Sequence, residues 1–268
     1  MKDITLQELL DAGCHFGHQA KRWHPKMKQY IYGVRDGVHI FDLVKTRTNL
    51  LEALAYVEKI AAEGKVIVFV GTKRQAQAIV SEEAKKAGFP YVAQRWLGGT
   101  ITNWEQIKKS IEKLIDMSKK REEGEYKKKY TKREQGLIDQ TINRLQRRVG
   151  GLVDLKKAPD VLFVVDVKNE FAAVHEAGVR GVIVVGMVDT NTDPDLASYV
   201  IPANDDAVGS IKLIVSAIGE AAKNGKDAYE RKVAEEVKMA EKKEKQKLVV
   251  KAVNKKPEVE VHKKVMVS

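Results

Sequence analysis

The sequence predicts an α/β fold, a doubly wound and mainly parallel sheet with an inserted antiparallel coiled-coil hairpin of helices. Three observations predict it. Short runs rich in β-branched residues, at 66–70 (VIVFV), 161–165 (VLFVV) and 182–185 (VIVV), have the unbroken apolar character of strands buried on both faces. A helical stretch follows each run, as strand–helix alternation around a parallel sheet requires. Residues 102–150 interrupt that rhythm with two amphipathic stripes, so the insertion is helical. In outline the body is Rossmann- or flavodoxin-like.

The elements follow in order. Residues 30–32 and 38–41 flank Arg35-Asp36-Gly37, a β-hairpin with Asp-Gly in its turn. Residues 43–63 predict a long helix stopped by Gly64, and 74–87 a helix after the first buried strand. Thr102-x-x-Glu105 and Thr131-x-x-Glu134 each fit a capping box. Behind the first, Trp104, Ile107, Ile111, Leu114 and Ile115 recur at helical spacing; behind the second, Ile138, Ile142, Leu145 and Val149 do so. Each arm is about 25 Å long at 1.5 Å per residue. Gly150-Gly151 ends the second arm. Helices at 170–177 and 207–223 and a short strand at 199–201 complete the body. Beyond Gly225 the apolar pattern weakens, and 242–268 holds nine lysines among scattered valines. A fraying helix and then a disordered basic tail are expected there. The expected domains are an α/β body (1–101 and 151–225), a hairpin (102–150) and a basic, largely disordered extension (226–268).

Of the 268 residues 43% are hydrophobic, enough for a real core. The single Cys14 excludes an internal disulfide and a multi-cysteine zinc ribbon. No run approaches 18 uncharged apolar residues and the N-terminus has no apolar core. A soluble, cytoplasmic protein without membrane contact is expected. The net charge of +11 is unevenly placed: 105–150 and 221–268 each sum to +6, and 151–220 sums to −6. Basic appendages favour a polyanionic partner over a small substrate. The acidic stretch is better suited to a protein neighbour than to phosphate.

The loop Val70-Gly71-Thr72-Lys73-Arg74 stands where a phosphate loop would, but it lacks the glycines of G-x-G-x-x-G and the Gly-Lys-Ser/Thr of a P-loop. Lys73 and Arg74 are candidates for holding an RNA phosphate at the following helix. In Arg95-Trp96-Leu97-Gly98-Gly99-Thr100, Arg95 is a second phosphate candidate, whereas Trp96 beside Leu97 is expected to pack and brace the hairpin. The hairpin adds Lys108, Lys109, Arg144, Arg147 and Arg148 as RNA-facing cations. His15, His18, Asp189 and Asp205 are candidate ligands of a structural divalent metal, zinc or magnesium. No other cofactor is required. Some aspartates have a plainer use: Asp193-Pro194 and Asn204-Asp205 look like helix caps. No catalytic constellation emerges, so no enzyme is expected.

Six segments in register resemble one family. Residues 13–19 (GCHFGHQ), 23–27 (WHPKM), 69–76 (FVGTKRQA), 95–103 (RWLGGTITN), 188–194 (VDTNTDP) and 201–207 (IPANDDA) are similar to the bacterial small-subunit ribosomal protein numbered two. The resemblance runs through roughly residues 1–225. It implies an α/β body with an inserted coiled coil, bound to small-subunit rRNA where head meets body, with no catalysis. It also implies neighbouring ribosomal proteins as partners, including the large mRNA-binding protein numbered one, and no self-association. The rival reading is a nucleotide-binding α/β enzyme without the usual glycine signature.

Overall fold

The chain enters through α1 (Leu6–Asp11), whose Thr5 and Glu8 cap each other reciprocally. Three strands follow, β1 (Phe16–Gln19), β2 (Ile31–Arg35) and β3 (Val38–Phe41), paired antiparallel in the order β1-β3-β2. Asp36 and Gly37 both take positive φ, 53° and 77°, as the tight turn between β2 and β3 demands. This structure is a computed structural model that describes residues 4–253, with side chains to residue 236 and at Met239.

The long helix α2 (Leu43–Ala62) starts on an Asp42 cap and stops before Gly64, whose φ is 73°. Then come β4 (Ile67–Val70), α3 (Gln77–Ala87) and β5 (Tyr91–Val92). Residues 102–150 fold into α4 (Trp104–Glu122), α5 (Glu125–Lys129) and α6 (Lys132–Val149). Ile107, Ile111 and Leu114 of α4 are buried in the same apolar cluster as Ile142 and Val149 of α6. Arg121 Nε, near the end of α4, lies 2.9 Å from Asp139 Oδ1 in the first half of α6. The chain returns through β6 (Val161–Val165), α7 (Phe171–Arg180), β7 (Ile183–Val188), β8 (Tyr199–Pro202) and α8 (Val208–Val253).

The five later strands form a parallel sheet in the order β5-β4-β6-β7-β8. Alternate residues serve its two faces. Ile67, Phe69, Val161 and Phe163 join a cluster with α2, α3 and α8; Val68, Val70, Leu162 and Val164 join the one containing α4 and α7. Helices therefore cover both faces, which is why the strands read as continuous apolar runs. From β4 the chain steps outward to β5 and then back past β4 to β6, so the winding reverses between β4 and β6.

Three expectations are corrected. The Thr102 capping box does not form: α4 is capped at Asn103 without a side-chain bond, because the Thr102 amide and hydroxyl are both held by Glu176. The last helix, expected over 207–223 and fraying beyond Gly225, instead runs on to Val253. Lys, Glu and Ala dominate that continuation and favour helix, and Gly225 sits inside it, because a Cβ there would strike the Glu58 carbonyl and Ala61 of α2. The short α5 occupies what reads as a simple turn between the arms. The Thr131 box forms in full. The chain divides into two compact units, Met1–Lys226 and Asp227–Ser268. Residues 254–268 of the expected tail lie outside the described residues.

Candidate functional site

Ligands of open α/β sheets bind beyond the carboxyl ends of the strands, where the winding reverses. Here that crevice is filled with charged side chains of the protein itself. The turn after β4 supplies Thr72 and Lys73, and the turn after β6 supplies Asp166 and Glu170. Asp166 stands in the left-handed region at φ 62° and accepts from the Asn169 amide. Buried Glu170 accepts from the Thr72 amide at 2.8 Å; burial pushes its pKa up against that bond.

The loops after β7 and β8 add Asp189, Asp205 and Asp206. Asp189 and Asp205 are fully buried, and the Asp205 amide donates to Asp189 Oδ2. Asn204 caps the start of α8 by accepting from the amides of Asp206 and Ala207. Lys73 Nζ lies 2.6 Å from Asp205 Oδ1, 2.6 Å from Asp206 Oδ1 and 3.4 Å from Asp166 Oδ2. Burial works against the Lys73 charge, but its bonds to Asp205 and Asp206 prevail and raise its pKa. Burial and the nearby carboxylates of Asp189 and Asp166 push Asp205 up to about 7 despite Lys73.

His18 arrives from β1. Gly17 makes that approach close, since a Cβ there would lie 2.6 Å from the Thr190 methyl. The His18 amide donates to Thr190 Oγ1, its Nδ1 lies 2.9 Å from Asp189 Oδ1 and its Nε2 3.4 Å from Asp206. The bond to Asp189 raises its pKa. His18, Asp189 and Asp205 thus offer ligand atoms all within 4.8 Å of one another. His15 is not among them. It lies in the turn just before β1, and its ring sits tilted against that of Phe16, with centroids 3.9 Å apart, in a separate groove with Leu10 and Tyr32.

The crevice gathers Asp166, Glu170, Asp189, Asp205 and Asp206 against Lys73 and His18. It attracts cations and repels phosphate, the reverse of a nucleotide cradle. Sequence reading named Asp189, Asp205 and Lys73 but missed Asp166 and Glu170. The position of each acid just past a buried strand was the available signal.

The expected RNA-facing residues are distributed differently. Arg74, Arg95, Lys109, Arg144, Arg147 and Arg148 are exposed and form no ion pair among the described residues. Lys108 lies 3.9 Å from Glu112. Lys73 is turned into the crevice. Trp96 is buried and joins the cluster that holds the α4 stripe. Its loop is organised by Glu176 of α7, which sequence reading did not single out. One carboxylate oxygen accepts from Gly99 N at 2.6 Å and Trp96 Nε1 at 3.3 Å, the other from the amides of Ile101 and Thr102. Burial opposes the charge, but these donors hold the Glu176 pKa below the ordinary range.

Comparison with known proteins bears on this arrangement. The family model described as Ribosomal protein S2 matches residues 9–225. The small ribosomal subunit protein uS2 of Coprothermobacter proteolyticus is 48% identical over 236 residues, covering 88% of each chain. That of Fusobacterium nucleatum is 46% identical over 86% of this chain and 93% of its own. That of Dictyoglomus thermophilum is 47% identical over 86% of this chain and 94% of its own.

Proposed function

This chain belongs to the ribosomal protein S2 family, and from that membership we propose how it serves as a structural constituent of the small ribosomal subunit. It is not an enzyme; it works by binding and holding shape. The observation that carries the reading is the family match across residues 9–225. The acidic crevice argues the same way, because five carboxylates stand where a nucleotide enzyme would bind phosphate.

In this reading, residues 1–101 and 151–225 form the docking body, and 102–150 an antiparallel coiled-coil arm lying along rRNA at the junction of head and body. Arg74, Arg95, Lys108, Lys109, Arg144, Arg147 and Arg148 face phosphate, and Lys73 steadies the crevice behind them. Each phosphate neutralised adds about 0.7–0.9 to the slope of log affinity against log salt. The acidic 151–220 region faces protein neighbours, including the large mRNA-binding protein numbered one, whose recruitment it supports. Among the described residues no helix is long and apolar enough to cross a membrane.

A structural divalent cation belongs to the same proposal. One imidazole and two buried carboxylates, from His18, Asp189 and Asp205, suit zinc or magnesium. Such an ion would supply positive charge in a crevice with excess negative charge and tie β1 to the loops after β7 and β8. Elemental analysis of the purified protein checks this: stoichiometric metal, lost on His18→Ala, is expected.

Co-sedimentation with small subunits tests the main reading. The protein is expected to pellet with them, and charge reversal at Lys108, Lys109, Arg144, Arg147 and Arg148 is expected to weaken rRNA binding and flatten its salt slope. Unchanged affinity and slope would remove the arm from the RNA interface.

A further inference from the structure

We propose that the groove between α3, β5 and the end of α6 is a single-nucleotide pocket, in which Arg74, Arg147 and Arg148 grip the backbone phosphates of one unstacked RNA nucleotide. The proposal rests on the rRNA-binding reading above and gives it a specific site.

The groove exists because Gly151 has no side chain. A Cβ at Gly151 would fall on the Tyr91 carbonyl oxygen, so only glycine lets the chain leaving α6 run directly against β5. That contact sets the last turn of α6, with Arg147 and Arg148, beside the turn after β4, with Arg74. The three arginines line one cavity of about 430 Å³ with Gln77, Gln94 and Gln146.

The charge of this cavity is uncompensated. No aspartate or glutamate lines it, and none of the three arginines is ion-paired among the described residues. Some cations elsewhere on the arm are matched, Lys120 with Asp116, Lys129 with Glu125 and Arg121 with Asp139, whereas here three unpaired arginines line a single cavity. Three guanidinium groups held together without an acid are stabilised by an outside anion, and the guanidinium fork fits phosphate oxygens two at a time. Gln77 is engaged by the Thr72 carbonyl, but the amides of Gln94 and Gln146 have no partner among the described residues. Each offers both donors and an acceptor to a base edge or a ribose hydroxyl.

Size selects the ligand. Pockets for small ligands span roughly 300–1,000 Å³, so this one has room for a single nucleotide. Proteins read RNA chiefly at loops and bulges whose bases are splayed out.

The test uses the full chain and small-subunit rRNA. Replacing all three arginines with alanine (R74A, R147A, R148A) is expected to weaken binding about tenfold or more and to lower the salt slope by about 1.4, the yield of the two single-strand phosphates that flank one nucleotide. The corresponding lysine variant keeps the charge, so it should retain most of the slope while losing affinity with the bidentate fork. A photo-crosslinking amino acid at position 94 of the otherwise unchanged protein should mark one nucleotide. Wild-type affinity and slope in the alanine variant overturn the pocket while leaving the ribosomal reading intact, provided the unmodified protein still pellets with small subunits. A crosslink from position 94 to a protein also overturns it. If the unmodified protein binds neither rRNA nor subunits, the broader reading fails and the pocket falls with it.

Discussion

Lys73 and Arg74 are adjacent basic residues with opposite surroundings. Lys73 reaches three carboxylates, one fully buried, whereas Arg74 meets solvent. Removing one partner of a buried ion pair leaves the other uncompensated and costs about 3–5 kcal/mol; with Asp206 and Lys73 partly exposed, Lys73→Ala should lose about 2–4 kcal/mol. Arg74→Ala should stay within about 0.5 kcal/mol, as exposed substitutions do. Denaturant melts of the two variants check the contrast. Glu176 is the other decisive residue. Leaving its amide donors weakly paired costs about 1–3 kcal/mol, so Glu176→Gln should lower stability by that order. Its pKa is lower in the native state than unfolded, so its contribution is present at neutral pH and is lost as pH falls through the depressed native value. Stability measured against pH should therefore show a shallower acid decline in Glu176→Gln than in the unmodified protein. Neither role was legible in sequence. Lys73 and Arg74 look alike in a string of letters, and Glu176 meets its loop from another element.

Elements were easier to read than residues because their causes are local. Continuous β-branched runs became buried strands, and Asp-Gly became the hairpin turn. Where two signals had the same form, tertiary competition separated them. Thr102-x-x-Glu105 and Thr131-x-x-Glu134 both fit a capping box, yet only the second forms, since Glu176 takes the Thr102 amide and hydroxyl. Thr131→Ala should cost about 1 kcal/mol and lower helicity in α6, measurable by hydrogen exchange at its first turn. Thr5-x-x-Glu8 carried the same signal and was passed over, although it caps α1 fully. The two-residue β5 was too short for periodicity to register. The hairpin stripes were legible, with Ile107, Ile111, Leu114, Ile142 and Val149 buried, although Ile115 faces solvent.

At the scale of the molecule, a doubly wound sheet ordinarily presents a nucleotide site at its point of reversal. Here that point is occupied by Lys73 among carboxylates. A thermal-shift series with ATP, GTP, NAD and flavins is therefore expected to show no stabilisation at saturating ligand. A reproducible shift abolished by Lys73→Ala would favour the enzyme reading. The sequence by itself determined the strand runs, the helical arm, the family motifs and the division of charge between basic appendages and an acidic stretch. Composition and periodicity are local properties, so they survive without a fold. Only the tertiary structure decided which charges are engaged internally and which face outward. It drew Lys73, Asp166, Asp189 and Asp205 into one crevice, left His15 outside it, and set Arg74 beside Arg147 and Arg148. Ion pairing depends on distances of a few ångströms between segments far apart in the chain, and those distances exist only after the sheet has formed.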